Sequence, residues 1–534
     1  MNATLGTGTL ARLALRRERG IAPWWILLIV SLSLVMVAYI NRNMGTYELK
    51  LTYLKVIAGN PFLRAIGGGV VEPRLDVLAT WRSGGFLYLA SALAALMSVI
   101  RHTRKEEDAG RSELVLAGRI GRAAPLTAAL LVAGGTSLIG GALTAAALIG
   151  VGLEPAGSLT YGGGIAVAGW MFGGIAAVAA QLSRNAHAAT VIALTALGAA
   201  YVLRFAADVS GQAWLKYLSP VGWVHLVEPY QSERWWLLGV CVLVSAILYG
   251  AAYRLLARRD LGSGLLPERP GRESAPGLRG PVSLAWRLHR ALLLKWLAGV
   301  AVFALLGGAL TAPARDLVSR PSIIVDNITH FLGIAAGEKM VAGYLWYLIL
   351  IIAYAVALYP VLMIVRLRAE ETSGRAEALH ATPMTRLRWA SGHLLVTALG
   401  TAALMAVAGL AFGVIYSLAA GHLLTDAPAY LAGALSTVPA AWCVGAVCLL
   451  AYGLLPRAAV VIVWLAWILT TGLGQVVGPL YGLWGGSPAE PFHYIPNAML
   501  ATAFPLVPVT ALLAITALLT AAGLLALRHR DFGT

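Results

Sequence analysis

Long, mostly apolar stretches almost free of charge alternate with short charged ones along the chain. The apolar stretches run to roughly 17–30 residues, long enough for a helix to cross a bilayer core. They lack the one-sided periodicity that a soluble helix of that length shows. They also lack the alternating segments of about ten residues that a transmembrane β-barrel needs. The pattern predicts an all-α polytopic membrane protein of about 12 transmembrane helices. In the first half the spans fall near 23–40, 84–100, 123–151, 159–182, 186–205 and 235–256. In the second half they fall near 291–311, 341–365, 390–419, 431–455, 458–480 and 506–527. Residues 1–22 set Arg12, Arg16, Arg17 and Arg19 among leucines, which suits a helix lying along the inner membrane surface. Residues 41–83 and 206–234 are expected outside.

The charged stretches repeat. Glu106-Glu107-Asp108-Ala109-Gly110-Arg111-Ser112-Glu113 and Glu370-Glu371-Thr372-Ser373-Gly374-Arg375-Ala376-Glu377 both read E-E-x-x-G-R-x-E, each after a second span. Three further features recur in the same order. A turn with one arginine joins spans 4 and 5 (Arg184, Arg457). An external Ser-Pro-x-x-x-x-His follows (Ser219, Pro220, His225; Ser487, Pro488, His493). An Arg-Asp exit closes span 6 (Arg259, Arg530). Repeats of this length mark duplicated units. Six spans each, an even number, predict two parallel six-helix repeats, a fused pseudo-dimer. The domains are then 1–261, the first six-span domain with its N-terminal interfacial helix; 262–281, a Gly/Pro/Ser/Arg-rich cytosolic linker; and 282–534, the second six-span domain.

Composition narrows the function. Charged residues are 12% of the chain and 59% are hydrophobic, so the net charge of +16 reads as basic loops on the cytoplasmic side, not as a nucleic-acid surface. Cys241, Cys443 and Cys448 all fall in apolar spans, without metal or disulfide spacing. No G-x-x-x-x-G-K-[ST] loop is present; Gly333 to Lys339 comes nearest and has Glu338 in place of the second Gly. No H-E-x-x-H or G-x-S-x-G appears either. Nothing catalytic and no metal site is read.

Within the motif, Glu107 and Arg111, and Glu371 and Arg375, stand four apart and would pair on a continuous helix. Gly110 and Gly374 allow a bend there. Arg204 and Asp208 read as an end-of-helix pair with the guanidinium snorkelling outward. Trp170, Arg204, Trp464, Trp467 and Gln475 are candidates for a substrate path. His225 and His493, with their Ser-Pro partners, are candidates for an outer cap.

A cytosolic helix after span 2 of a six-span unit, opening with E-E-x-x-G-R-x-E, resembles the membrane subunit of a type-2 ABC exporter. The fused double unit resembles the actinobacterial polyketide-antibiotic (tetronasin-type) exporter permeases. That resemblance implies that residues 106–119 and 370–383 are coupling regions, with Glu106, Glu107, Gly110, Arg111, Glu113, Glu370, Glu371, Gly374, Arg375 and Glu377 facing an ATPase. It implies a separate ABC ATPase subunit, two copies per permease, binding the ATP and Mg that this chain has no site for. The implied cargo is a hydrophobic or amphipathic compound such as an antibiotic, drug or lipid. The implied location is the plasma (inner) membrane, multi-pass, with both termini cytoplasmic. The alternative is a twelve-span secondary (ion-coupled) drug transporter, which usually buries acidic residues near mid-span; few stand there in this sequence.

Overall fold

A computed structural model describes residues 3–59, 72–266, 274–275, 277–309, 339–420, 427–472, 490–495 and 506–529. Among these, the regular structure is helical. The chain forms two compact units, Met1–Gly271 and Arg272–Thr534. Eleven helices among the described residues are long and apolar enough to cross a membrane, and Ala459–Thr471 is a shorter apolar one. The twelfth expected span, 458–480, runs on into residues outside the described ones.

Unit 1 contains α1 (Thr7–Glu18), α2 (Ala22–Asn43), α3 (Tyr47–Gly59), α4 (Leu75–His102), α5 (Arg104–Asp108), α6 (Arg111–Leu116), α7 (Ala124–Gly150), α8 (Pro155–Leu182), α9 (Ala186–Ser210), α10 (Pro220–Leu226) and α11 (Trp235–Arg258). Local chemistry fixes several starts. Proline, which needs no N–H there, stands in the first two positions of α2, α7, α8 and α10. The Asn185 side chain caps α9 by accepting from the Ala188 amide at 2.8 Å. Ser219 caps α10 through the Gly222 amide.

The external segment expected at 41–83 is shorter than that. Helix α4 begins at Leu75, nine residues before the apolar run, because the charges at its start are partnered. Asp76 pairs with Arg74. Arg82 donates to the Tyr53 hydroxyl at 2.5 Å and lies 5.0 Å from the Tyr39 ring centroid. Charges that are satisfied locally do not end a helix.

Helix α8 forms the centre of unit 1, with α4, α7, α9 and α11 packed around it. Small residues set its approach to α7: a Cβ on Gly141 would sit 2.2 Å from the Gly162 carbonyl oxygen, and one on Gly162 would sit 2.3 Å from that of Gly141. Backbone contact of this kind is how helices associate where lipid removes the hydrophobic drive. Ser91 donates to the Ile165 carbonyl and Ser83 bonds the Tyr161 hydroxyl, tying α4 to α8.

Unit 2 contains α12 (Pro281–Ala309), α13 (Lys339–Val356), α14 (Leu358–Thr372), α15 (Arg375–His380), α16 (Arg386–Ala420), α17 (Ala427–Ser436), α18 (Val438–Leu454), α19 (Ala459–Gly472) and α20 (Leu506–His529). Glycines again set close crossings. A Cβ on Gly453 of α18 would lie 2.7 Å from the Gly523 carbonyl oxygen of α20.

Gly141→Val should lower the thermal stability of the purified protein by about 1–3 kcal/mol, since the side chain must displace backbone. Gly135→Val, on the same helix with nothing within 4 Å of its Cβ position, should leave the melting temperature unchanged.

Candidate functional site

Both charged motifs fold the same way. The helix that brings the chain out of the second span stops at a glycine in the left-handed region, Gly110 (φ 69°) or Gly374 (φ 74°), and a six-residue helix follows. An L side chain there costs about 1–2 kcal/mol, which explains the residue type. The break also changes the pairing. Arg111 does not reach Glu107 four residues back. It forks onto Glu106, with Nε–Oε2 and Nη2–Oε1 both 2.8 Å. Arg375 forks onto Glu370 in the same way, at 2.8 and 3.2 Å. The expected four-residue pairs are thus replaced by five-residue, two-toothed pairs across a bend. Such fork geometry is stronger than a single-point contact and holds the short helix at a fixed angle.

The second glutamate of each motif turns inward. Glu107 receives Arg104 Nη1 at 2.6 Å and Arg259 through Nη1 at 2.9 Å and Nη2 at 2.5 Å. Both arginines are buried. Arg104 also donates from Nε to the Ala180 carbonyl, and Arg259 donates from Nε to the Gln181 side chain at 2.7 Å. This clasp joins the end of α4 and α5, the end of α8 and the exit of α11. Asp108 accepts from the Ala186 amide at 2.6 Å and so adds the start of α9.

In unit 2, Glu371 is held by the Tyr452 hydroxyl of α18. Arg368, at the position matching Arg104, donates to the Pro456 carbonyl at 2.9 Å. Neither Arg104 nor Arg368 was among the residues singled out from the sequence. Their signal was present: both stand two residues before the first glutamate, so the repeat is R-x-E-E-x-x-G-R-x-E. Arg259, read as an exit marker, is a clasp residue; Arg530 lies outside the described residues.

The N-terminal helix completes the loop in unit 1. Arg17 Nη1 lies 2.8 Å from Glu106. Glu18 is buried and accepts from Ser98 (3.0 Å) and Arg101 (3.0 Å) and bonds His102 Nε2 (2.8 Å). The amides of Gly121 and Ala123 donate to the carbonyls of Leu5 and Ala3. The outer face of the short helices is exposed, with Glu113, Leu114 at 80% of its full exposure and Glu377 standing beside the half-exposed Arg111 and Arg375.

The other candidates are dispersed. Arg204 does pair with Asp208, at 3.5 Å, but it does not snorkel. It is fully buried, with Lys216 2.6 Å from the other oxygen of Asp208 and His225 3.5 Å away. Its guanidinium is neutralised inside the fold and not by water. A cavity of about 80 Å³ beside it is lined by Trp81, Tyr88, Tyr161, Lys216 and His225; neither Arg204 nor Trp170 is on its wall. Trp170 donates its indole N–H to the Gly134 carbonyl of α7 at 3.0 Å. In unit 2, Trp442 makes the equivalent bond to Ala398 of α16 at 3.2 Å, a repeated packing device that the pairing of Trp170 with Trp464 and Trp467 overlooked. Trp467 donates to the Tyr354 carbonyl, and Trp464 stands edge-on to it. Ser219 also donates to the Ala200 carbonyl, Pro220 opens α10, and His225 stacks edge-on with Tyr88. His493 is exposed in a 3₁₀ turn. Gln475, Ser487 and Pro488 lie outside the described residues. No group of three or more His, Cys, Asp or Glu is placed to hold a metal among the described residues.

The chain is 36% identical over 533 residues to "Multidrug efflux system permease protein Rv1217c" of Mycobacterium tuberculosis (strain ATCC 25618 / H37Rv), covering 98% of this chain and 95% of the relative. It belongs to the multidrug efflux permease family. Residues 278–528 of the permease also match the family model described as "Multidrug efflux system permease Rv1217c, C-terminal domain". That match spans most of unit 2. The permease is therefore a multi-pass membrane transport protein, and the clasped loops are features of a transport fold.

Arg259→Met should destabilise the permease by about 3–5 kcal/mol, because it strips a buried partner from Glu107. Combined with Glu107→Gln, the loss in melting temperature should be smaller than the sum of the two single losses. Burial opposes ionisation of Glu18, but the His102 hydrogen bond, the Arg101 charge and the Ser98 hydroxyl outweigh it, so its carboxyl titrates below the usual range. A lowered folded-state value means the contribution is full above the unfolded value of about 4.3 and lost as pH falls through the folded one. The stability advantage of the wild type over Glu18→Gln, measured by thermal unfolding, should be full at neutral pH and vanish in acid.

Proposed function

We propose that the permease is the transmembrane subunit of an ATP-driven ABC exporter, and that a separate ABC ATPase subunit, in two copies, binds and hydrolyses ATP with Mg. Two things support the reading: the motif repeated after the second span of each unit, and its geometry. The single observation that carries it is the contrast within each loop. Glu106, Glu107, Glu370 and Glu371 are spent on internal partners, whereas Glu113, Leu114 and Glu377 stand on short, rigidly set helices facing outward. A short helix fixed to the ends of several spans, with an exposed outer face of charged residues and, in unit 1, Leu114, suits a protein partner that pushes on it. In unit 1 the clasp would carry that push to α4, α8, α9 and α11 together. On this reading the loops and both termini are cytoplasmic and the membrane is the plasma membrane. The cargo would be hydrophobic or amphipathic drug-like compounds, in keeping with the relative's description as a multidrug efflux permease. The two ATPase contacts would differ, since Leu116-Ala117-Gly118 follows one motif and His380-Ala381-Thr382 the other.

Charge reversal at the exposed positions tests this without touching the clasp. Glu113→Arg with Glu377→Arg should cut co-purification with the proposed ABC ATPase subunit, and drug-stimulated hydrolysis, by roughly tenfold or more. Unchanged association and hydrolysis would sink the coupling assignment. Efflux that continues with an ATPase-dead partner but collapses with the proton gradient would favour the ion-coupled class.

A further inference from the structure

One seam in unit 2 is loosely packed among the described residues. In unit 1 the first span, α2, lies along both α4 and α7. In unit 2 the corresponding helix α12 packs closely along α16 but touches α13 over only a short length. A groove of about 380 Å³ fills the gap. Its walls include Lys295, Trp296, Gly299 and Phe303 of α12, spaced three or four apart on one face, and Ile351 and Ile352 of α13. A Cβ on Gly299 would meet nothing within 4 Å, so the floor is empty at that point. Lys295 is exposed, and it is the one ionisable side chain on the described wall. It lies five residues beyond Arg290, about 7.5 Å further along the helix. A lone cation there sits where an apolar wall meets the charged membrane edge.

We propose that this groove binds an acidic amphiphile, a molecule with one carboxylate-type head at Lys295 and an apolar body of drug size against Trp296 and Phe303. The volume falls in the range of small-molecule sites, about 300–1,000 Å³. Charge selects the class: a basic drug would set its ammonium against Lys295, with no carboxylate on the described wall to offset it. The lysine holds the head at the membrane edge while the aromatic rings hold the body, the usual division of labour in a ligand site. Calling this ligand cargo rests on the efflux reading; binding itself does not.

The test is a fluorescence titration of the purified full-length permease in phosphatidylcholine nanodiscs, without nucleotide. The probes are dansyl-labelled undecanoic acid and its uncharged methyl ester. The acid should bind saturably. Lys295→Met should weaken the acid roughly tenfold, the effect of one charge-assisted contact, and leave the ester unchanged. Lys295→Arg should keep the acid. Gly299→Phe should abolish binding of both probes. Retained ester binding shows that Lys295→Met is folded, so the lysine series decides the matter even if Gly299→Phe fails to fold. Acid binding that is indifferent to Lys295→Met overturns the proposal. So does displacement of the acid by phosphatidylglycerol in the disc, which would make Lys295 a lipid-headgroup contact. Neither result touches the ATPase test, and failure of that test leaves groove binding standing.

Discussion

Glu107 cannot be left alone where it stands. It is half-buried at the end of a helix that emerges from an apolar span, and two buried arginines need an anion as much as it needs cations. Charges taken out of water are tolerated only when paired and fully hydrogen-bonded. Satisfying that requirement draws Arg104 from the same strand of chain, Arg259 from the exit of α11, and the end of α8 through Gln181 and Ala180. The loop owes its fixed geometry to this electrostatic necessity more than to helix propensity. The Arg111–Glu106 fork then sets the angle of the short helix on top of it.

The same necessity explains what could be read from the sequence. Apolar length alone specified the spans, because bilayer thickness is a local constraint that every stretch meets separately. The repeat was legible because it needed no geometry. The start of α4 was missed because Arg82 looked like a boundary until Tyr39 and Tyr53 proved to hold it. The pairing inside the motif was missed because a four-residue rule assumes an unbroken helix, and Gly110 and Gly374 break it. Arg259 was found but misread: periodicity carries no information about a partner 152 positions away. The charged loops were thus visible as places and invisible as networks. Arg204 shows the reverse error, where a true pair with Asp208 was given the wrong environment because Lys216 and His225 approach it from the next segment.

The two halves use one design with different chemistry. In unit 1 arginines hold Glu107; in unit 2, among the described residues, the Tyr452 hydroxyl donates to Glu371. Where α2 lies against two neighbours, α12 leaves a groove against one of them. The motif thus stands in two settings of different packing, one beside a first span held by two neighbours and one beside a first span with a groove along it. The shared tryptophan bond from span 4 to span 3 marks what neither copy has given up.

The span of 152 residues between Glu107 and Arg259 also has a meaning in time. At synthesis rates of about 5–20 residues per second, roughly 8–30 s pass between the emergence of the glutamate and that of its second arginine. During that interval four more spans are made, and the loop has Arg104 but not its lock. Arg259, the residue that follows α11, therefore closes the loop only late in the synthesis of the unit. The clasp can close only when the end of the sixth span reaches the same side as the end of the second, so a unit in which one intervening span fails to insert leaves Glu107 without its second arginine.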